Sequence, residues 1–318
     1  MELPMELKSA IENQIVCVKH DKLAEDAREL SIRYRKESGH GKRLLTFSDE
    51  AAAYSVVRMP ATYGAAYSAL NHTLSFSDCS IKSLLDIGAG TGAASWAADS
   101  LIDLENITCL EREKSMCEAG KTMMNSGSEA LKSAKWLEYD LTKDEINEKA
   151  DLVIASYVLN ELNEEERIKA ADKLFNASDK ITLIIEPGTP AGYFNLKKIR
   201  EHLISKGAHI IAPCPHENSC PLEEDDWCHF SCRVQRSKLH RELKEGDAPY
   251  EDEKFAYIAA SHEKYKNADA RVLRHPIIKK GRVTLEVCTK DGIKRIDISK
   301  RDGTLYKKAR KAKWGDEI

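Results

Sequence analysis

The sequence predicts an α/β protein whose parallel sheet is preceded by a helical region and followed by a small β module. From residue 5 to about residue 79, apolar side chains recur at the helical spacings of three and four. From residue 81, short apolar strands alternate with helical stretches, which is typical of a parallel sheet with right-handed crossovers. Residues 281–299 alternate in the manner of a hairpin, and Asp291-Gly292 is its predicted turn.

We expect the 318 residues to form three units. These are a helical N-terminal region (1–80), a cofactor-binding domain (81–262) with a cysteine-rich insertion (211–244), and a basic C-terminal β module (263–318). The strands predicted in the middle unit cover residues 83–88, 107–112, 135–140, 151–159, 181–187 and 254–261. The helices predicted between them cover residues 93–101, 162–175 and 193–206.

The composition excludes several classes of protein. The chain is 42% hydrophobic and 32% charged, as in ordinary soluble domains, and no apolar run is long enough for a membrane-spanning helix. The first residues, MELPMELKSAIENQ, lack the apolar core of a secretory signal and the arginines of a transit peptide. Nine cysteines without a signal peptide indicate a reducing compartment. We therefore expect a cytoplasmic monomer that does not associate with membranes.

The net charge of −3 conceals a strong asymmetry. Residues 271–313 hold 15 lysines and arginines against 4 acidic residues, a local charge of +11, whereas the rest of the chain carries −14. A basic module on an acidic body is typical of polyanion binding, with a solvated lysine-rich surface as the alternative. A second basic stretch at 233–244 favours nucleic acid. The candidate RNA-binding residues are Lys279, Lys280, Arg282, Lys307, Lys308, Arg310 and Lys311.

A glycine loop, LLDIGAGTG at 84–92, follows the first predicted strand and precedes a helix. Glycines in this context let the backbone approach a ligand and leave amide groups of the following helix free to meet it. Residues 88–93 also fit the dinucleotide pattern GxGxxA, so a nicotinamide cofactor and a vacant scaffold are alternatives. Asp86 favours S-adenosylmethionine, because it can reach the cationic amino group, directly or through water, but would repel a pyrophosphate.

The other expected cofactor contacts follow the ends of later strands. Glu111 ends the second strand, where it can accept the two ribose hydroxyls, and Tyr139-Asp140 ends the third, where class I methyltransferases contact adenine. The Asp-Pro-Pro-Tyr motif of base amino-group methylation is absent, as is the Pro-Cys nucleophile of pyrimidine carbon-5 methylation, so no catalytic residue is assigned. The predicted cofactor-binding residues are Asp86, Gly88, Ala89, Gly90, Gly92, Glu111, Arg112, Tyr139, Asp140 and Ser156.

Four cysteines are concentrated in the segment CPHENSCPLEEDDWCHFSC. They are Cys214, Cys220, Cys228 and Cys232. The paired C-x2-C knuckles of structural zinc sites are missing, and the first two cysteines each precede a proline, as iron–sulfur ligands do. The pattern favours a [4Fe-4S] cluster. Zinc, with His216 and His229 as further ligands, and unligated thiols are the alternatives.

The chain resembles the methyltransferase-like proteins of small ribosomal subunit assembly, which are best known from mitochondria and have bacterial members. The shared segments are DIGAGTG, CPHENSCPL, DWCHFSCRVQRS, YEDEKFAY, LEVCTKDG and KARKAKWGD, so the resemblance runs from about residue 80 to the C-terminus. It implies a class I (Rossmann-like) methyltransferase fold, a [4Fe-4S] cluster and association with 16S-type RNA of the small ribosomal subunit. The cluster ligands that it implies are Cys214, Cys220, Cys228 and Cys288, which leaves Cys232 as a bystander.

We therefore expect a protein that binds S-adenosylmethionine and acts on or with small-subunit ribosomal RNA. One form of this hypothesis is an RNA methyltransferase, and the other is a non-catalytic assembly factor with a structural metal site. A small-molecule methyltransferase is a third interpretation, and the basic C-terminal module argues against it.

Overall fold

The computed structural model describes residues 1–37, 48–223, 225–244 and 246–318. The strands in these residues, β1 to β12 in chain order, are Ser83–Ile87, Asn106–Glu111, Lys135–Glu138, Ala150–Ser156, Ser178–Pro187, His209–Ala212, Phe230–Gln235, Tyr250–Ser261, Ala270–Val272, Ile277–Lys279, Arg282–Thr289 and Gly292–Ser299. The α-helices, α1 to α11, are Met5–Ile15, His20–Glu37, Ser48–Val57, Met59–Leu74, Ala93–Asp99, Lys114–Met124, Glu129–Lys132, Glu164–Ala177, Pro190–Ser205, Lys238–Leu243 and Gly303–Lys311.

The main sheet has eight strands, in the order β3-β2-β1-β4-β5-β8-β6, with β7 also paired to β8. The first five of these strands are parallel, and β8 runs antiparallel to β5. Strands β1, β4 and β5 are buried almost throughout, as expected where helices cover both faces of a parallel sheet. This arrangement confirms the predicted Rossmann-like methyltransferase fold, with its N-terminal helices and small C-terminal antiparallel sheet.

The helices cover the two faces of the main sheet. One core joins the N-terminal helices, α5 and α6 to the sheet, and includes Leu7, Leu30, Met59 and Leu70. The core on the opposite face is built with α8 and α9. The N-terminal helical region therefore buries its apolar side chains directly against the sheet that carries the glycine loop.

Several local signals explain where the helices begin. Helix α8 begins with a capping box, in which Asn163 and Glu166 each accept a hydrogen bond from the other's backbone N–H. Helix α9 begins with Thr189, whose side chain accepts a hydrogen bond from the Gly192 N–H, and with Pro190 in its first turn. These caps fix the points at which the chain leaves the carboxyl edge of the sheet.

The predicted strands are all present, but three elements between residues 209 and 243 were missed. Strands β6 and β7 and helix α10 are short and lie around the cysteine-rich loop, where polar residues obscure their periodicity. The predicted turn of the hairpin was wrong by one residue. Thr289 pairs with Gly292, so the turn is Lys290-Asp291, and Gly292 opens β12 with a φ of 106°.

The C-terminal module is a four-stranded antiparallel sheet with its own small core. In that sheet β11 pairs with β9, β10 and β12, and the core includes Val283, Leu285 and Tyr306. The end of the chain returns to β9, where the Gly315 N–H donates to Val272 O at 2.9 Å. Gly315 has a φ of 89°, and a Cβ there would lie 2.7 Å from Phe230 of β7, so the close packing of this end requires glycine.

Among the described residues, no helix combines the length and the apolar character that crossing a membrane would require.

Candidate functional site

A cavity of about 130 Å³ lies at the carboxyl edge of the parallel strands. We call it the glycine-loop cavity. The predicted cofactor residues that line it are Gly88, Gly90, Glu111, Arg112, Tyr139, Asp140 and Ser156. They follow β1, β2, β3 and β4, because the carboxyl ends of adjacent parallel strands meet at one edge. The remaining three, Asp86, Ala89 and Gly92, do not line this cavity.

The glycine loop adopts left-handed backbone conformations. Gly88 and Gly90 have φ values of 63° and 57°, and a Cβ on Gly88 would lie 2.4 Å from the Val158 side chain. The N–H groups of Gly88 and Ala89 donate to Leu110 O at 2.8 and 3.1 Å. These hydrogen bonds hold the loop against the end of β2.

The Glu111 carboxylate sits between this loop and the turn that follows β2. It is 8% exposed, and its two oxygens accept hydrogen bonds from the N–H groups of Gly90 and Glu113, each at 2.8 Å. Burial raises the pKa of Glu111, and these hydrogen bonds act in the opposite direction. Each oxygen has a further lone pair, so the carboxylate can still accept hydrogen bonds from two hydroxyl groups of a ligand.

Asp86 lies behind the loop. Its side chain is fully buried, and one carboxylate oxygen accepts hydrogen bonds from the backbone and the hydroxyl of Ser95 in α5, at 3.1 and 2.7 Å. Burial raises its pKa to about 6. The other oxygen, Oδ1, has no hydrogen-bond partner among the described residues. A buried acceptor of this kind fits a donor outside the protein chain, such as a water molecule or a ligand ammonium group.

The end of β3 forms another part of the cavity wall. The Tyr139 hydroxyl donates to Asp144 O at 3.0 Å, which holds its ring in place. Burial alone would raise the pKa of Asp140, but hydrogen bonds from Thr142 and Lys143 outweigh it and lower that pKa to about 2. Asp140 is therefore a fixed anion at this side of the cavity.

Acidic groups and a strained tyrosine lie beyond β4. Tyr157 has a φ of 61°, a costly conformation for a bulky residue, and its hydroxyl donates to Glu253 of β8 at 2.8 Å. Glu161 lines the same cavity, and burial raises its pKa to about 7. Behind it, Glu186 is fully buried at the end of β5.

The N-terminal helices, for which the sequence predicted no ligand contact, contribute three residues to the lining of the glycine-loop cavity. Tyr54 comes from α3, Arg58 from the corner between α3 and α4, and Thr62 from α4. The sequence contained only a weak signal for these contacts. Arg58 interrupts the apolar run AAAYSVVRMPATYGAAY, which marks it as a polar group within a core-facing segment.

A second cavity, of about 60 Å³, is lined in part by residues 256–258 of β8. We call it the cysteine cavity. It is lined by Cys214, Cys220, Cys228 and Cys288. The first three come from the loop between β6 and β7, and the fourth comes from β11 of the C-terminal module. Two thiols have further contacts, since Cys220 lies 3.1 Å from the Tyr193 hydroxyl and Cys288 lies 3.6 Å from His216 Nε2.

The thiols of the cysteine cavity share one electrostatic environment. Burial raises the pKa of Cys214 and of Cys228, and it raises that of Cys288 to about 12. The neighbouring cysteines add to each increase, whereas Arg200 and Arg271 lower the pKa of Cys214 and Cys288. Four sulfur donors that line one cavity suit a soft metal centre.

Cys232 is in a different place. It lies on β7 and belongs to the core beneath α4, where a Cβ on Gly64 would be 3.1 Å from its sulfur. In the part of the chain that the structure describes, no three Cys, His, Asp or Glu side chains come together closely enough to hold a single metal ion. The four cysteines that the resemblance implied thus line one cavity.

The seven candidate RNA-binding residues are all exposed. Three lie at the β10–β11 turn and four on α11. Among the described residues, only Arg282 and Lys308 of the seven form ion pairs, with Asp297 and Glu317. The second basic stretch, 233–244, is different, because its Arg233, Arg236 and Lys244 are paired with acidic residues of β8. Its charge is therefore largely used within the fold.

The sequence model of a protein family described as "Mitochondrial small ribosomal subunit Rsm22" matches residues 48–318, which include both cavities and the basic module. The chain belongs to this family. The human protein named "Ribosome assembly protein METTL17, mitochondrial" is 26% identical over 257 residues, covering 74% of this chain and 55% of that protein. The "Rsm22-cox11 tandem protein 2, mitochondrial" of Schizosaccharomyces pombe is 26% identical over 367 residues, covering 97% and 48%. The Rsm22-family chain thus spans about half the length of the curated relatives it matches.

Among solved structures, the magnesium protoporphyrin IX methyltransferase of Synechocystis PCC 6803 with bound S-adenosylmethionine is similar at 13% identity. It covers 73% of this Rsm22-family chain and 91% of its own, with a TM-score of 0.43. The N-methyltransferase NodS of Bradyrhizobium japonicum WM9, with S-adenosyl-L-homocysteine, is similar at 11% identity. The match covers 63% of this Rsm22-family chain and 86% of NodS, with a TM-score of 0.41.

The prediction of a cytoplasmic location was wrong. The Rsm22 family and the curated relatives are mitochondrial. The prediction relied on the acidic start of the sequence and on free thiols. A reducing environment does not identify one compartment, and the composition of the first residues did not reveal the family's location.

The buried Glu186 predicts a pH dependence of stability. Burial raises its pKa to about 8 from the usual 4.5, although Leu159 N–H donates to it at 3.1 Å. The folded state therefore keeps this proton up to about pH 8, while the unfolded state releases it near 4.5. The free energy of unfolding should fall as the pH rises through this window.

Glu186→Gln should flatten this fall, as measured by urea unfolding followed by circular dichroism at several pH values. Glu201→Gln, on the exposed side of α9, is the matched control and should keep the wild-type slope. An unchanged slope in Glu186→Gln would show that Glu186 is ionised in the folded protein.

Proposed function

We propose that this protein takes part in assembly of the small ribosomal subunit, binding S-adenosylmethionine, a [4Fe-4S] cluster and 16S-type ribosomal RNA. One observation carries the proposal. The family match over residues 48–318 includes the glycine-loop cavity, the cysteine cavity and the basic C-terminal module. The three features thus occur in one matched segment whose relatives include a ribosome assembly protein.

The glycine-loop cavity supports the S-adenosylmethionine part of the proposal. Glu111 has lone pairs available for the ribose hydroxyls, and Tyr139 offers an apolar surface for adenine. The unpartnered oxygen of Asp86 suits an ammonium group reached through a water molecule, since Asp86 does not line the cavity itself. A dinucleotide would bring its pyrophosphate toward Asp86, Glu111 and the ionised Asp140, where like charges repel.

The cysteine cavity supports an iron–sulfur cluster over zinc. A single zinc ion holds its four sulfur ligands about 2.3 Å from one point. Among the described residues no three potential ligands are placed to hold one metal ion, although four cysteines line one cavity of about 60 Å³. Cys214, Cys220, Cys228 and Cys288 would hold the cluster. When bound, the cluster would link the cysteine loop to β11 through its cysteine ligands. It would also be able to exchange electrons.

The exposed cations of the C-terminal module support RNA binding. Five of the seven have no ion pair within the described chain, so their charge is available to phosphate groups. Methyl transfer to the RNA is the catalytic form of the proposal. Glu161 favours it, because a carboxyl group with a pKa of about 7 in the cavity can accept a proton from an attacking group.

The alternative is an assembly factor that binds the cofactor without catalysis, as the missing base-methylation motifs suggest. Transfer of labelled methyl groups to purified small subunits separates the two forms. Glu161→Gln is the matched variant, and it should lose transfer while keeping cofactor affinity if the catalytic form holds.

Glu111→Ala should weaken binding of S-adenosylmethionine by about 1 to 3 kcal/mol, because it removes charge-assisted hydrogen bonds to the ribose. Isothermal titration calorimetry measures this change. Glu105→Ala, at the exposed amino end of β2, is the control and should bind as the wild type does. Equal affinity of the Glu111 variant would remove the cofactor assignment.

Cys288→Ser should lose iron, because it removes the one ligand that comes from the C-terminal module. Cys232→Ser should keep it, since that thiol lies in another core. Iron content and visible absorbance after anaerobic purification provide the measurement. The opposite pattern would place the fourth ligand at Cys232.

RNA affinity should fall steeply with salt concentration, with a slope of about 0.9 per phosphate contacted on a duplex. Neutralising Lys279, Lys280 and Arg282 should reduce the slope, and so should neutralising the four cations of α11. Neutralising Lys114 and Lys169, two exposed lysines of α6 and α8, is the control. Filter binding of 16S-type RNA at several salt concentrations decides the matter, and a salt-independent affinity contradicts the proposal.

A further inference from the structure

Two buried arginines flank the cysteine cavity. Arg200 of α9 is 5% exposed, and Arg271 of β9 is 2% exposed. Both line the cavity together with its four cysteines, and both act electrostatically on Cys214 and Cys288. Each also has one buried nitrogen, Nε of Arg200 and Nη2 of Arg271, without a hydrogen-bond partner among the described residues.

The partners that these arginines do have are neutral. The Arg200 guanidinium donates to His216 O at 2.6 Å, and Arg271 donates to Pro213 O at 3.0 Å and to Gly315 O at 2.9 Å. In the chain as described, no carboxylate oxygen lies within 4.0 Å of either group, although many surface cations have such partners. Burying two cations without an anion costs a large desolvation free energy, so this part of the fold lacks a negative charge.

The cysteine cavity is where that negative charge fits. A cluster ligated by four thiolates carries net negative charge, and the cavity wall already contains both guanidinium groups. The unpartnered nitrogens can then donate to sulfur atoms, as groups around a metal centre commonly do. The two cations and the metal centre would then offset each other's desolvation free energy.

We infer that Arg200 and Arg271 are the counter-charges of the metal centre, and that Arg271 makes the docking of the C-terminal end depend on that centre. The inference rests on the proposed cluster. Pro213 adjoins the first cysteine, and Gly315 adjoins Trp314, whose ring contacts that of His229 at a centroid distance of 4.3 Å. One guanidinium therefore joins the cysteine loop to the end of the basic module.

This role has two measurable consequences. Reduction of the cluster by one electron adds one negative charge, so neighbouring cations favour the reduced form and raise the reduction potential. Removal of the metal centre leaves two buried cations without an anion. The apoprotein should then open at the contact between the cysteine loop and the C-terminal end.

The test uses the full chain, purified anaerobically, with Arg200→Met and Arg271→Met, which keep a long side chain and remove the charge. Arg271→Lys keeps the positive charge and loses the planar set of N–H donors of the guanidinium group. Arg295→Met, on the exposed face of β12, is the control. The reduction potential is measured by dithionite titration with electron paramagnetic resonance, and iron loss is followed with a coloured chelator.

We expect both methionine variants to have a lower reduction potential and to lose iron about 10-fold faster than wild type. Arg271→Lys should keep a potential close to that of wild type, and Arg295→Met should match wild type in both measurements. A wild-type protein without the iron–sulfur spectrum would overturn the proposed cluster itself. Cluster-bearing methionine variants with unchanged potential and iron loss would overturn only the role of the arginines.

Limited proteolysis of the cluster-bearing proteins gives a second readout. Chelation should speed cleavage of the C-terminal module in wild type more than in Arg271→Met, because the variant has one buried cation fewer to leave without an anion. Equal acceleration in the two proteins contradicts the inference.

Discussion

The backbone pairing of β8 is the constraint on which both candidate sites depend. This twelve-residue strand pairs with β5 on one side and with β6 and β7 on the other. Ala212 pairs with Ala259, and Phe230 pairs with Phe255, so the two ends of the cysteine loop are held four residues apart along one strand. A loop with fixed ends can bring its thiols to one cavity, because most of its closure entropy is already lost to the sheet.

The same strand contributes residues to two chemically different environments. Glu253 of β8 accepts the hydrogen bond of Tyr157, the strained residue at the glycine-loop cavity. Ala256, Tyr257 and Ile258 of β8 line the cysteine cavity. One cavity is rich in carboxylates and the other pairs thiols with buried arginines. The two cavities thus differ in charge and have no lining residue in common.

The C-terminal module joins the rest of the protein through few but specific contacts. Its own core is small, and its link to the main sheet includes Cys288, Arg271 and the close packing of Gly315 on Phe230. Such a link gives the basic surface of the module a defined orientation relative to the main sheet.

The sequence by itself determined the parallel half of the sheet, the glycine loop and the basic module. These features rest on local signals, namely strand and helix periodicity, glycine spacing and charge density, which act over a few residues. The family resemblance added Cys288, which no spacing rule within the cysteine loop could supply. The tertiary structure alone decided that Asp86 faces α5 instead of the cavity, and that Tyr54, Arg58 and Thr62 line it. It also decided that Arg200 and Arg271 lie beside the cysteines, because contacts between residues so distant in sequence depend on how whole elements pack and carry no local pattern.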